Sequence, residues 1–194
     1  GLSGFPCKNE SVYDTFTTGH SSTAVSTALG LACARDSSAP DERNFKVVAV
    51  IGDGSLSGGL CFEGLNNAGH LKKDLLVLLN TNEMSIAPNV GALSTYLNKI
   101  ISLPIYNRFK NSLESFVASR MPKGSRVIKL ANKFEEGLKG LFIPGMFFEE
   151  LGFRYFGPFD GNNLNVIVPA LKKIVNIKGP VLFHVITKKG KGYP

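Results

Sequence analysis

A mostly parallel α/β sheet with helices on both faces is the fold this sequence predicts, and three observations predict it. Short apolar runs alternate with helical stretches, the β-branched run 46–51 and the leucine-rich run 75–79 being the first two. These runs and the helix between them form a strand–helix–strand unit of about 30 residues, whose crossover is right-handed. The runs are apolar at successive positions, as strands covered on either side by helices are.

The chain has 194 residues, 43% of them hydrophobic and 19% charged, with a formal net charge of +7. That is the balance of a globular domain with a sizeable core, and 1–194 reads as one domain. The longest apolar run, between Asp74 and Asn80, is far shorter than the roughly 18–20 residues of a membrane span. No signal-peptide pattern is visible. Gly1 to Pro6 lies in mid-loop and reads as the start of a fragment of something longer. The positive charge is scattered, with small clusters at Lys188-Lys189 and Lys191. No dense basic face interleaved with aromatics is present, so neither a nucleic-acid nor a membrane partner is expected, and an anionic small molecule fits the charge as well. Cys7, Cys33 and Cys61 lack metal-type spacing and read as small buried thiols in a reducing compartment.

Residues 21–34 are small and apolar with helical spacing, capped by Ser21 or Ser22. Their Ala, Ser and Gly content implies that another backbone comes close. A polar loop follows at 36–44. Residues 46–51 then form a strand buried on both faces and ended by Gly52. The next helix spans 56–69, with Leu56, Leu60, Glu63 and Asn67 on one stripe and Cys61 and Leu65 beside it. Residues 95–145 are expected to be a helical, mobile insertion broken at Pro104 and Pro122, with a helix over 128–142. A short helix over 147–151 and a short strand over 153–156 follow, the strand ended by Gly157-Pro158. Leu164, Ile167, Val168, Leu171, Ile174 and Val175 recur at the spacing of an amphipathic helix, which Gly179-Pro180 ends. The last strand is 181–187, before the basic, glycine-rich end. His70 and His184 read as structural, and the pairs Glu135-Glu136 and Glu149-Glu150 as exposed faces.

The chemistry is concentrated at Gly52-Asp53-Gly54-Ser55, where a strand meets a helix. In an open parallel sheet, ligands sit beyond the carboxyl ends of the strands. The N–H groups and dipole of the following helix suit a phosphate, and Gly54 allows close approach. Asp53 would repel a diphosphate unless a divalent cation lay between them, as Mg²⁺ does. A second oxygen ligand is expected from the end of the neighbouring strand, where Asn82 lies 29 residues beyond Asp53. An oxygen-only set favours Mg²⁺ or Ca²⁺ over Zn²⁺.

Gly-Asp-Gly followed about 30 residues later by Asn resembles the thiamine diphosphate signature. The surrounding wording is more specific. Gly19-His-Ser-Ser-Thr23, Val50-Ile-Gly-Asp-Gly54, Phe62-Glu63 with Asn67-Ala-Gly69, Asn82-Glu-Met-Ser-Ile86 and Val90-Gly-Ala-Leu93 resemble the 1-deoxy-D-xylulose-5-phosphate synthase family. So do Phe148-Glu-Glu-Leu-Gly152, Gly157-Pro158 with Asp160-Gly161, and Thr187-Lys-Lys-Gly-Lys-Gly-Tyr193. The resemblance runs over essentially the whole chain.

The resemblance implies a thiamine-diphosphate-binding domain of a transketolase-like transferase. That family condenses pyruvate with D-glyceraldehyde 3-phosphate, losing CO₂, on the way to isoprenoids, thiamine and pyridoxal. It implies Mg²⁺ held by Asp53, Asn82 and the carbonyl of Met84, with Gly54 and Ser55 on the diphosphate. Ile86 would be the apolar wedge that bends the cofactor. Gly19, His20 and Ser21 would lie beside it, with His20 at the reacting carbon, and Lys189 and Tyr193 would close the diphosphate end. A homodimer in the bacterial cytoplasm, or a plastid in a plant or alga, goes with the family. Its activating Glu and its phosphate-gripping arginines belong to another domain, so this chain alone is expected to hold a half-site without turnover. Asn162 stands where the family usually has His.

Three other readings compete: another thiamine enzyme such as a transketolase or 2-oxoacid dehydrogenase, a non-catalytic binding module, and a dinucleotide site. The spacing of Gly52, Gly54 and Gly58 misses the dinucleotide fingerprint.

Overall fold

The computed structural model describes residues 1–12, 14–82, 91–102 and 145–193. Among these residues, four strands form one parallel sheet: β1 Val48–Gly52, β2 Leu75–Thr81, β3 Arg154–Asp160 and β4 Pro180–Ile186. Their spatial order is β1-β2-β4-β3. The helices are α1 Ala24–Ser37, α2 Asp53–Leu56, α3 Gly59–Leu71, α4 Ala92–Ser102, α5 Met146–Glu150 and α6 Leu164–Ile174. A 3₁₀ turn, Pro40–Arg43, lies in the polar loop after α1.

Helices cover both faces, as the strand patterning predicts. On one face, Val25, Leu29 and Ala32 of α1 and Cys61, Leu65 and Ala68 of α3 pack on Ile51, Val77, Leu79 and Leu182. On the other, Ile167, Ala170 and Ile174 of α6 pack on Leu76, Phe183, Val185 and Phe159. The backbone that comes close to α1 is α3 of the same chain. A Cβ on Gly64 would stand 2.7 Å from Ser26 Oγ, and that hydroxyl donates to the Leu60 carbonyl at 3.2 Å. Arg35, 6% exposed, ties the end of α1 to the start of β2 by donating to the Asp74 carbonyl at 3.0 Å.

Several expectations are corrected. β1 is not buried on both faces: Val48 and Val50 are 45% and 63% exposed. Among the described residues β1 is one edge of the sheet, and the cluster beneath α6 stops at β2. The helix expected over 56–69 is two helices. Gly58 is extended and interrupts it, and Ser57 Oγ closes the first turn on the Gly54 carbonyl at 2.7 Å. Within α3, Leu60, Glu63 and Asn67 face solvent while Cys61, Gly64, Leu65 and Ala68 are buried. Neither Ser21 nor Ser22 caps α1. Thr23 holds that position without a side-chain cap bond, and Ser22 takes a left-handed φ of 68°.

β3 runs through Gly157-Pro158 to Asp160 rather than ending there. A register shift between Phe156 and Phe159 absorbs the proline, which an edge strand tolerates. Cys61 is buried, but Cys7 and Cys33 are only half-buried, and all three are free thiols. α4 covers 92–102, and the expected helix over 128–142 lies outside the described residues, as does Glu135-Glu136.

Candidate functional site

The register places Gly52 of β1 opposite Asn80 of β2. Asp53 and Asn82 therefore leave adjacent parallel strands at their carboxyl ends, and adjacent strands lie about 4.8 Å apart. Asp53 is 7% exposed, and its Oδ1 accepts the Gly54 N–H at 3.0 Å. Asn82 is half-buried. The donor types gathered here are a carboxylate and an amide, hard oxygens that suit Mg²⁺. α2 is a single turn, so it contributes little dipole, and the Gly54 N–H at its start is taken up by Asp53 Oδ1.

The Gly19–Ser22 turn comes up against this end of the sheet. A Cβ on Gly58 would collide with the Ser22 side chain, which seats the turn on the α2–α3 junction. Thr18 and Thr23 both donate their hydroxyls to the His20 carbonyl, at 3.4 and 3.2 Å. The His20 and Ser21 side chains are exposed. Gly19 lies against the Phe5 ring, where a Cβ would come within 3.3 Å.

Lys189 and Tyr193 lie in two successive tight turns after β4, closed by Lys191 N–H to the Lys188 carbonyl and Tyr193 N–H to the Gly190 carbonyl. Both residues are exposed, Tyr193 at 86%. Met84 and Ile86 lie outside the described residues.

Sequence reasoning did not find the bonds that hold this end of the sheet together. Thr187 donates its hydroxyl to Asn80 Oδ1 at 2.7 Å and its N–H to the Thr81 carbonyl at 2.9 Å. Asn162 Oδ1 accepts the Lys188 N–H at 2.7 Å. On the opposite face, His184 bridges Thr81 Oγ1 at 2.6 Å and Tyr155 Oη at 2.7 Å. His184 is fully buried, and burial pushes its imidazole down to about 3. The only signal in the sequence was a polar residue inside an apolar strand. Among the described residues no three His, Cys, Asp or Glu side chains cluster as a metal site.

Residues 1–187 match the family model described as 1-deoxy-D-xylulose-5-phosphate synthase. A synthase of that name from Geobacter metallireducens is 55% identical over 194 residues, covering 100% of this chain and 31% of the relative. One from Alkaliphilus oremlandii is 52% identical over 193 residues, covering 100% and 30%. The chain thus spans about a third of the length of these relatives. Among solved structures, transketolase from Campylobacter jejuni aligns with a TM-score of 0.51 at 21% identity, over 89% of this chain and 20% of that one, which is a likeness of fold. With residues 1–187 matched by the family model, this chain belongs to the 1-deoxy-D-xylulose-5-phosphate synthase family and corresponds to part of the length of its members.

Proposed function

We propose that this chain is the diphosphate-binding part of a transketolase-like synthase that condenses pyruvate with D-glyceraldehyde 3-phosphate, with loss of CO₂, to 1-deoxy-D-xylulose 5-phosphate. The observation that carries the reading is the placement of Asp53, 7% exposed, at the carboxyl end of β1, one strand from Asn82, in a chain of this family. Thiamine diphosphate is the cofactor; when bound, it supplies the electron sink for decarboxylation and carbon–carbon bond formation. Asp53 and Asn82 hold Mg²⁺, joined by the Met84 carbonyl, and the ion offsets the repulsion between the Asp53 carboxylate and the diphosphate. Gly54 and Ser55 contact the diphosphate. Gly19 and Ser21 lie beside it, and His20, which is exposed on the turn seated at Gly58, moves a proton at the reacting carbon. Ile86 bends the cofactor. Lys189 and Tyr193 close the anionic end, from a tail whose root is fixed by Thr187 and Asn162. The working protein is a cytoplasmic homodimer.

The test is product formation by the native full-length protein from pyruvate and D-glyceraldehyde 3-phosphate, with and without Mg²⁺ and thiamine diphosphate. Asp53→Asn should weaken Mg²⁺-dependent cofactor binding at least tenfold and abolish most turnover. The 194 residues alone should bind without turning over. Cofactor-independent activity, or transketolase activity on ribose 5-phosphate and xylulose 5-phosphate in place of the synthase reaction, would sink the reading.

A further inference from the structure

Three side chains on neighbouring strands form a polar relay, two of them buried and Tyr155 half-buried. Thr81 of β2, His184 of β4 and Tyr155 of β3 lie on the sheet face that α1 and α3 cover. Thr81 is 1% exposed and His184 fully buried. His184 pairs with Leu79 in the register and Ile186 with Thr81, so the imidazole reaches two residues diagonally toward the carboxyl end of β2. Both ring nitrogens are engaged, at 2.6 and 2.7 Å, which fixes the ring. The far end is locked too: the Tyr155 ring stacks on Phe148 at an interplanar angle of 3°.

Stability alone does not call for such a relay. An apolar trio of similar shape would serve a core about as well, because exchanging both partners of a buried hydrogen bond for apolar groups of the same shape is close to neutral. The relay also acts at one particular place. Thr81 is the last residue of β2, and Asn82 follows it. The opposite face of the same strand end is held by Thr187 on Asn80. β2 is therefore gripped from both faces just before Asn82.

We propose that His184 is a positioning residue, which by gripping the Thr81 hydroxyl sets the end of β2 from which Asn82 extends and so sets the affinity for the divalent cation without touching it. The proposal rests on the cation reading of Asp53 and Asn82 above.

The experiment is a calorimetric titration of Mg²⁺ into the native full-length protein at saturating thiamine diphosphate, with the melting temperature of the metal-free protein alongside. Thr81→Val keeps the shape and deletes the hydroxyl; it should raise the Mg²⁺ Kd about tenfold, on the order of 1.4 kcal/mol. Thr81→Ser restores the hydroxyl and should return the Kd to within about threefold of wild type. Tyr155→Phe, which leaves the Thr81 bond in place, should weaken Mg²⁺ about threefold and provides the measurement if Thr81→Val does not fold. A merely structural relay would lower the melting temperature and leave every Kd within twofold, which overturns the proposal. Thr81→Ser binding as weakly as Thr81→Val overturns it as well. A wild type with no Mg²⁺-dependent cofactor binding overturns the cation reading itself, an outcome distinct from normal wild-type binding with unmoved variants.

Discussion

The Thr187 hydroxyl donates to Asn80 Oδ1 at 2.7 Å, joining the exit of β4 to the end of β2. One residue on, the Lys188 N–H donates to Asn162 Oδ1, so the tail carrying Lys189 leaves from a doubly anchored point. Thr187→Val deletes the first anchor in a part-buried setting and should cost about 1 kcal/mol. Asn162→Ala deletes the second, which is exposed, and should move stability by less than about 0.5 kcal/mol. If Lys189 closes on the diphosphate, each should still weaken thiamine diphosphate binding severalfold. Unchanged cofactor Kd values in both variants would detach the tail from the site.

Two glycines in helices should respond to alanine in opposite directions. Gly30 in α1 is exposed, and an added methyl there would meet nothing within 4 Å. Gly30→Ala should therefore stabilise by about 0.5–1 kcal/mol through the lower entropy of the unfolded chain. Gly69 near the end of α3 is different: a Cβ there would overlap the Leu151 carbonyl oxygen. The clash is with backbone, so no rotamer change relieves it. Overpacking costs about 1–3 kcal/mol, more than the roughly 1 kcal/mol of helix propensity gained. Gly69→Ala should lower the urea midpoint while Gly30→Ala raises it.

The same glycines show how far the sequence could be read. The order of strands and helices was legible because burial imprints a period on the apolar residues, and α6 is the clearest case. Gly69 invited a helix terminator, but α3 runs on to Leu71 and ends on Lys72 in a left-handed conformation. What made that position glycine was the approach of Leu151, a tertiary fact. The exposed face of β1 was hidden for a related reason: Val48 and Val50 carry no mark of which face a neighbour covers. Asp53 and Asn82 were legible because one strand–helix–strand unit fixes their spacing. The Thr81–His184 bond was not, since its partners lie 103 residues apart and only the strand order brings them together.

Acid should loosen the other end of the sheet. Burial raises the Asp74 carboxyl, but the Gly179 N–H at 2.6 Å and Lys178 at 2.8 Å outweigh it and hold it below the usual carboxylate value. Asp36 is held low chiefly by its bond to Lys73, with Arg35 adding to that against burial. Both carboxylates are lower in the folded state, so their stabilisation is present above the unfolded value of about 4 and disappears as pH falls through the folded values. Asp74→Ala should cost about 2 kcal/mol at neutral pH, mostly through the orphaned Gly179 N–H, since Lys178 is largely exposed. The gap to wild type should narrow below about pH 4. A gap that stays constant down to pH 3 would show that the charge contributes nothing.

His184 should produce a separate loss of stability at milder pH. Its folded-state value of about 3 lies below the ordinary 6.5 because burial disfavours the imidazolium. Between those values the unfolded chain binds the proton more readily than the folded one. Stability therefore falls as pH drops below 6.5, by up to about 1.4 kcal/mol per pH unit, and is flat above it with respect to this group. The carboxylates act only below about pH 4, so the interval from pH 6.5 to 5 isolates the histidine. His184→Gln offers both a donor and an acceptor to Thr81 and Tyr155 and stays neutral throughout. It should be less stable than wild type at pH 7.5 yet nearly flat between pH 6.5 and 5. Urea midpoints at three pH values for both proteins decide it, and a variant whose slope matches wild type would assign the loss to some other group.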